Sequence, residues 1–165
     1  MSTEKFGEGL PLLEPVKVEI FRGHRGYYLD TPDETPCVGD LITTAGRNWL
    51  ALRIGPAVNS PVGWMAVGSG ATGAALGDTA LVREISRKVL ATNTAGITAA
   101  NVYTAVATWG GAADTVQSIA IAEAGLFNHV GSGQGTLFQR VTFAGVTLAD
   151  SDLLKVTLET NVGSS

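Results

Sequence analysis

Few residues in this chain could perform covalent chemistry, and their spacing decides what they could do. Histidine occurs only at positions 24 and 129, and cysteine only at position 37. A single cysteine builds neither an internal disulfide framework nor a cysteine-based zinc cluster. A catalytic thiol or a Ser-His-acid triad needs a base beside its nucleophile, and His24 and His129 are the only imidazoles. No G-x-S-x-G elbow carries a serine towards either. His129 falls in a glycine-rich loop over residues 128–135 and reads as a solvated turn residue. The two histidines show no metal-ligand spacing. The expectation is a protein without catalytic residues, metal or cofactor.

Glycines could instead cradle a phosphate. The run Gly68-Ser69-Gly70-Ala71-Thr72-Gly73 has the dinucleotide-binding spacing and follows a candidate strand. That fingerprint also needs an acid about 20 residues on, within a strand–helix–strand unit. No acid occurs between Glu84 and Asp114, and no lysine plus hydroxyl follows the glycines. A long glycine-rich turn is the expectation. Paired carboxylates could cleave glycosides. However, Asp114 and Glu123 are the only charged residues between Val89 and Gln139. Glu123, inside an apolar strand-like segment, reads as a carboxylate satisfied by an arginine or by backbone N–H groups. Trp49, Trp64 and Trp109 read as core or interface residues rather than sugar-stacking platforms.

The elements that position these residues read as short strands. Of 165 residues, 45% are apolar and 16% charged, which suits one globular domain able to bury a core. Candidate strands cover residues 16–22, 49–54, 64–67, 102–109, 118–122, 136–143 and 153–160. Glycine- and proline-rich turns separate them, and residues 30–36 read as a loop. Residues 81–90 are ambiguous, with Leu81, Ile85 and Val89 at a helical spacing of four. The fold class expected is all-β: an antiparallel, jelly-roll-like β-sandwich with an extended N-terminal arm.

Charge divides the chain. Residues 1–40 hold eight acids and four bases, whereas residues 41–165 hold seven of each. Four of the six prolines also fall in the first 40 residues. The domain boundaries expected are therefore 1–45, an arm with a short strand or hairpin, and 46–165, the sandwich. Phe6, Leu10, Leu12 and Leu13 are the arm's candidate partner contacts. The net charge of −4 and the absence of a basic patch argue against a nucleic-acid partner. No stretch approaches the 18 or so apolar residues of a membrane span, and no secretory signal is expected at the N-terminus. Sparse charge over residues 89–139 hints at contact between copies, because interface centres are depleted of charge.

Three stretches carry a family resemblance. The first is Trp64-Met65-Ala66-Val67-Gly68-Ser69-Gly70-Ala71-Thr72 followed by Asp78-Thr79-Ala80-Leu81. The second is Ile119-Ala120-Ile121-Ala122-Glu123-Ala124-Gly125-Leu126-Phe127-Asn128. The third is Gly135-Thr136-Leu137-Phe138-Gln139-Arg140-Val141-Thr142-Phe143, then Val146-Thr147-Leu148 and Ser151-Asp152. In this order, over roughly residues 60–160, they resemble structural proteins of tailed-bacteriophage virions, among them capsid decoration (cement) proteins. The resemblance implies a non-enzymatic protein made in the host cytoplasm and carried on the outer capsid surface. It would bind the major capsid protein, bridge its subunits and pair with itself as a homotrimer. The alternatives are a tail, baseplate or fibre-attachment component and, in a different class, a carbohydrate-binding module. Two local expectations accompany it. Arg140 pairs with Glu123 across neighbouring strands, and Gly125 permits a bend or bulge after Glu123.

Overall fold

The computed structural model describes residues 16–22, 32–54, 60–95, 102–110 and 114–161. Ten strands and one helix follow in chain order: β1 (Val16–Phe21), β2 (Asp33–Thr35), β3 (Cys37–Ile42), α1 (Thr44–Ile54), β4 (Trp64–Gly68), β5 (Glu84–Val89), β6 (Thr92–Ala95), β7 (Val102–Gly110), β8 (Ala120–Phe127), β9 (Leu137–Thr147) and β10 (Leu153–Asn161). They form two five-stranded sheets, sheet A in the order β2-β1-β10-β7-β6 and sheet B in the order β3-β9-β8-β4-β5. Every pairing of named strands is antiparallel. The fold is an all-β sandwich. β1 pairs with β10 in sheet A, and β3 pairs with β9 in sheet B.

Period-two alternation builds the main core. Val18 and Ile20 of β1, Ala105, Ala107 and Trp109 of β7, and Leu154, Val156 and Leu158 of β10 face Met65, Val67, Ala124, Leu126 and Val141 of sheet B. A hydrogen bond also crosses the core, from the Thr160 hydroxyl to Gln139 Oε1 at 2.7 Å, with both residues fully buried. A smaller apolar cluster of Ala66, Leu81, Phe127 and Leu137 sits apart from the main core, with Trp64 packed on it. Ala66 alternates with Met65 and Val67, so this cluster lies on the outer face of sheet B.

Several expectations are corrected. Residues 49–54 are helical, not a strand. Thr43 caps α1: its hydroxyl accepts the Gly46 N–H at 3.0 Å while its carbonyl accepts the first helical bond, from Arg47 N–H at 3.0 Å. At Gly46 a β-carbon would collide with the Phe138 carbonyl, so only glycine lets the helix lie this close to β9. Residues 84–89 form a strand rather than continuing a helix. Leu81 enters the outer cluster, Ile85 packs on the main core and Val89 is 63% exposed, so their spacing of four serves three different environments. Residues 33–35, read as loop, form the short edge strand β2. Pro32 and Pro36 flank it, where a missing N–H costs the ladder nothing.

The boundary expected between residues 45 and 46 does not follow an edge of the sandwich. β1 is an interior strand hydrogen-bonded on both sides, and β3 closes one edge of sheet B. Of the four prolines that suggested an arm, Pro32 and Pro36 flank β2, and Pro11 and Pro15 lie outside the described residues. Residues 1–15, and with them Phe6, Leu10, Leu12 and Leu13, lie outside the described residues.

Candidate functional site

The residues singled out for their chemistry converge on the outer face of sheet B. β8 is buried along its whole length after Ala120, on both faces. Its inner face meets the core, and its outer face lies under residues 69–83, a strap running from the end of β4 to the start of β5. Two buried charges hold that strap. Glu123 and Arg140 are 0% and 1% exposed. Arg140 Nε and Nη2 each lie 2.9 Å from Glu123 Oε2. The same carboxylate accepts the strap's backbone: Gly70 N–H (2.9 Å) and Arg83 N–H (2.8 Å) on Oε1, and Val82 N–H (3.0 Å) on Oε2.

Arg140 spends its remaining donors on the other half of the strap. Nη1 donates to the Gly73 carbonyl (3.3 Å) and to Asp78 Oδ2 (2.8 Å), and Nη2 donates to the Thr72 carbonyl (2.8 Å). A guanidinium offers five N–H groups; here four donate hydrogen bonds, and Nη2 also lies in ion-pair contact with Glu123. Asp78 Oδ2 also accepts Ala75 N–H at 2.8 Å, which closes the turn. Burying an ion pair costs several kcal/mol per ion unless every remaining lone pair and proton is satisfied, on the order of what this network supplies. The arrangement holds a loop. It leaves neither oxygen of Glu123 for proton transfer to a substrate.

The glycine-rich run has a role the fingerprint comparison did not suggest. A β-carbon on Gly70 would lie 2.5 Å from Glu123 Oε1 and from Val82 Cβ, and one on Gly68 would lie 2.6 Å from the same oxygen. These glycines make room for a carboxylate of the protein itself, whereas Gly73 has nothing within 4 Å. The expectation for Gly125 is corrected. The ladder irregularities in β8 fall between Ile121 and Glu123 and between Leu126 and Phe127. Gly125 lies between them, opposite Arg140, where a β-carbon would press on Leu137 and Leu81 at 2.8 and 2.9 Å. It is a packing glycine under the strap.

A second cationic post stands beside this network. The Arg87 guanidinium lies 3.7 Å from the Phe127 ring centroid and pairs with Glu84 at 2.7 Å. It also donates to the carbonyls of His129 and Gln134, at 2.8 and 2.9 Å. His129 itself is exposed, and its Nδ1 accepts Gly131 N–H at 3.0 Å within the turn. Asp78 and Arg87 were missed in the sequence. The available signal was the Asp78-Thr79-Ala80-Leu81 motif, whose first and last residues face the two halves of the outer site.

The tryptophans occupy three environments. Trp109 is fully buried and donates to Ser86 Oγ at 3.2 Å. Trp64 is half-buried against the outer cluster. Trp49 on α1 meets Phe138 edge-on at 5.6 Å, and Arg53 lies 5.4 Å from its ring centroid. Trp109 is therefore closed to any ligand, whereas Trp49 and Trp64 keep part of their surface exposed. Trp49 and Arg53 do border a cavity of about 330 Å³, shared with Leu50, Val62, Tyr103, Phe138 and others. Burial pushes the Tyr103 phenol far above its ordinary value, so it stays protonated. Among the described residues, no three His, Cys, Asp or Glu side chains cluster as metal ligands would. Comparison with protein-family models, with curated proteins and with solved structures finds no match for this chain.

Proposed function

We propose that this protein is a bacteriophage capsid decoration protein. It binds the major capsid protein on the outer surface of the virion and bridges neighbouring subunits, as a homotrimer. The observation that carries this reading is the ordered set of motifs and their convergence in space. The first motif supplies the strap with its glycines and Asp78, the second supplies Glu123 and Gly125, and the third supplies Arg140. The segments that resemble virion structural proteins are thus one mechanical unit. It holds a loop rigidly on the outside of a sheet, as suits a part that must present a fixed surface in many copies.

A second feature supports contact between copies. On the outer face of sheet A, β6 and β7 carry no charged residue, and Val102 and Val106 stand half-buried beside exposed Thr108. Binding to the assembled shell, and not to free subunits, stabilises the shell by mass action, by about 2.7 kcal/mol per site at a hundredfold excess over Kd.

The test is copy number. Quantitative mass spectrometry of purified virions should find this chain in the same order of abundance as the major capsid protein. A handful of copies per particle would assign it to the tail instead, and absence from the particle would overturn the reading. Removal of residues 1–15 is expected to leave a folded sandwich with weaker shell binding, read by co-sedimentation with capsids. Undiminished binding would remove the arm from the bridging contact.

A further inference from the structure

A second recess opens at the end of sheet B. β4 stops at Gly68, opposite Glu123, whereas β8 begins three residues further out, at Ala120. Ala120 and Ile121 pair with β9 on one side. On the other side they have no ladder partner among the described residues, because the chain leaves the sheet after Gly68 to become the strap. An open cleft of about 600 Å³ lies there, lined by residues 83–85 and 118–120 and by Ser69.

The charge of this cleft is unbalanced. Arg22, Arg87 and Arg140 each hold a carboxylate of the protein. Arg83 does not. Its backbone N–H donates to Glu123 at 2.8 Å, but its exposed guanidinium has no hydrogen bond or ion pair among the described residues. Glu84 beside it is already neutralised, because Arg87 Nε and Nη2 donate to its two oxygens at 2.9 and 2.7 Å. A guanidinium is a planar fork of donors that matches a carboxylate.

The rest of the wall suits an acid carried on a chain. Ile85, Ala120 and Ile119, the last 38% exposed, offer an apolar surface for its stem. Ser69 Oγ is buried without a hydrogen-bond partner, a state that a polar group arriving in the cleft would relieve. Ser118 stands at the rim in the left-handed region, with φ 58°, as does Thr115 with φ 55°. Two such non-glycine residues in one short loop are strained, and fully buried Val116 between them anchors the loop. A rim fixed in advance loses little freedom on binding.

We infer that this cleft binds an extended peptide segment of a partner protein, which places an acidic side chain on the Arg83 guanidinium. The segment lies along the unpaired stretch of β8, as an added strand does at a free sheet edge. This goes beyond the shell-binding reading. It names the chemistry of a partner segment, and it holds or fails with no shell present.

The test titrates the peptide acetyl-Val-Glu-Val-amide into the full chain labelled with 15N. The Arg83 Nε–H signal and the amide signals of Ser118, Ile119 and Ala120 should shift together and saturate. The isosteric acetyl-Val-Gln-Val-amide should bind about tenfold more weakly or worse, as expected for losing a hydrogen-bonded charge. Arg83→Gln should weaken binding of the glutamate peptide by a similar factor and abolish the preference between the two peptides. Arg47→Gln, which removes an exposed arginine from α1, should change neither affinity. The comparison of peptides on the wild-type chain needs no variant, so it stands even where Arg83→Gln fails to fold. No shift at residues 83 and 118–120, equal affinity for the two peptides, or undiminished binding by folded Arg83→Gln overturns the inference. Valerate has the acid and an apolar stem but no peptide backbone, and it should bind more weakly than the glutamate peptide. Equal or tighter binding of valerate would overturn a peptide segment as the occupant.

Discussion

The outer faces of the two sheets solve the same problem in opposite ways. Sheet A covers part of its outer face with charges that keep contact with solvent: the exposed pair Lys17 and Glu34 at 2.8 Å, and a half-exposed Lys155 over the largely buried Glu19 at 2.9 Å. Sheet B buries its outer face under the strap and locks it with Glu123, Arg140 and Asp78. The chemical groups are the same, carboxylates and cations across neighbouring strands. Desolvation separates them. An ion pair in water contributes about 0–1 kcal/mol, whereas breaking a buried one by removing a single partner costs about 3–5 kcal/mol.

Mutations should break this contrast in a definite order. Arg140→Ala strands the Glu123 carboxylate with no counter-charge and frees the half of the strap that carries Thr72, Gly73 and Asp78, so chemical denaturation should show a loss of about 3–5 kcal/mol. A loss below 1 kcal/mol would mean that water replaces the guanidinium and that the site is not dry. Glu123→Gln keeps the shape and one acceptor but gives up the charge and part of the backbone capture. We expect a loss of about 1–3 kcal/mol, with amide exchange at Gly70, Val82 and Arg83 accelerated first. Stability unchanged by Glu123→Gln alongside unfolding by Arg140→Ala would sever the pair as a unit. Asp78→Asn touches only the far end of the strap, where the carboxylate is 24% exposed, and should cost about 1 kcal/mol or less.

On sheet A, Lys155→Ala removes a half-exposed ammonium from Glu19 while Lys17 stays 3.5 Å from the same carboxylate, so stability near neutral pH should fall by about 1 kcal/mol or less. The same face gives a pH signature. Burial raises the Glu19 carboxyl, but the Lys155 ammonium, bonded to it, and Lys17 outweigh burial and hold it below its ordinary value of 4.5. A carboxyl depressed in the folded state contributes stability that is full above the unfolded value. That contribution fades as pH falls through the folded one. Wild type should therefore lose stability from pH 4.5 downward more steeply than Glu19→Gln, measured by thermal melts across the acid range. Parallel curves would show that Glu19 titrates alike in the folded and unfolded chain.

The contrast was half legible in the chain. A glutamate and an aspartate alone among fifty uncharged or weakly polar residues stand out, because an isolated carboxylate in an apolar strand needs a partner. The spacing of the motifs named Arg140 for it. Asp78 and the strap were not legible, because a loop that folds back over a sheet leaves no periodicity. Its glycines mimic a phosphate-binding turn, since both use missing β-carbons to bring backbone N–H groups onto an anion. Here the anion is the protein's own side chain. The helix α1 was lost for a related reason. Trp49, Leu50 and Ile54 suit a strand by type, and only the Thr43 cap and the close approach of Gly46 to β9 make them helical.

Alternation of apolar and polar residues between turn signals was sufficient to determine an all-β sandwich. That pattern has a period of two, and only sheets with one face on a shared core satisfy it throughout. It also marked most of β1, β4, β7, β9 and β10 to within a few residues. The tertiary structure alone decided which sheet each strand joins, that β1 and β2 join sheet A while β3 joins sheet B, and that sheet B is buried twice. Those outcomes depend on pairings between residues 17 to 142 positions apart in the chain, such as Glu123 with Arg140 and Val16 with Leu158. Local propensity carries no information about such distant contacts. They are selected by which arrangement leaves every buried N–H, carboxylate and guanidinium with a partner.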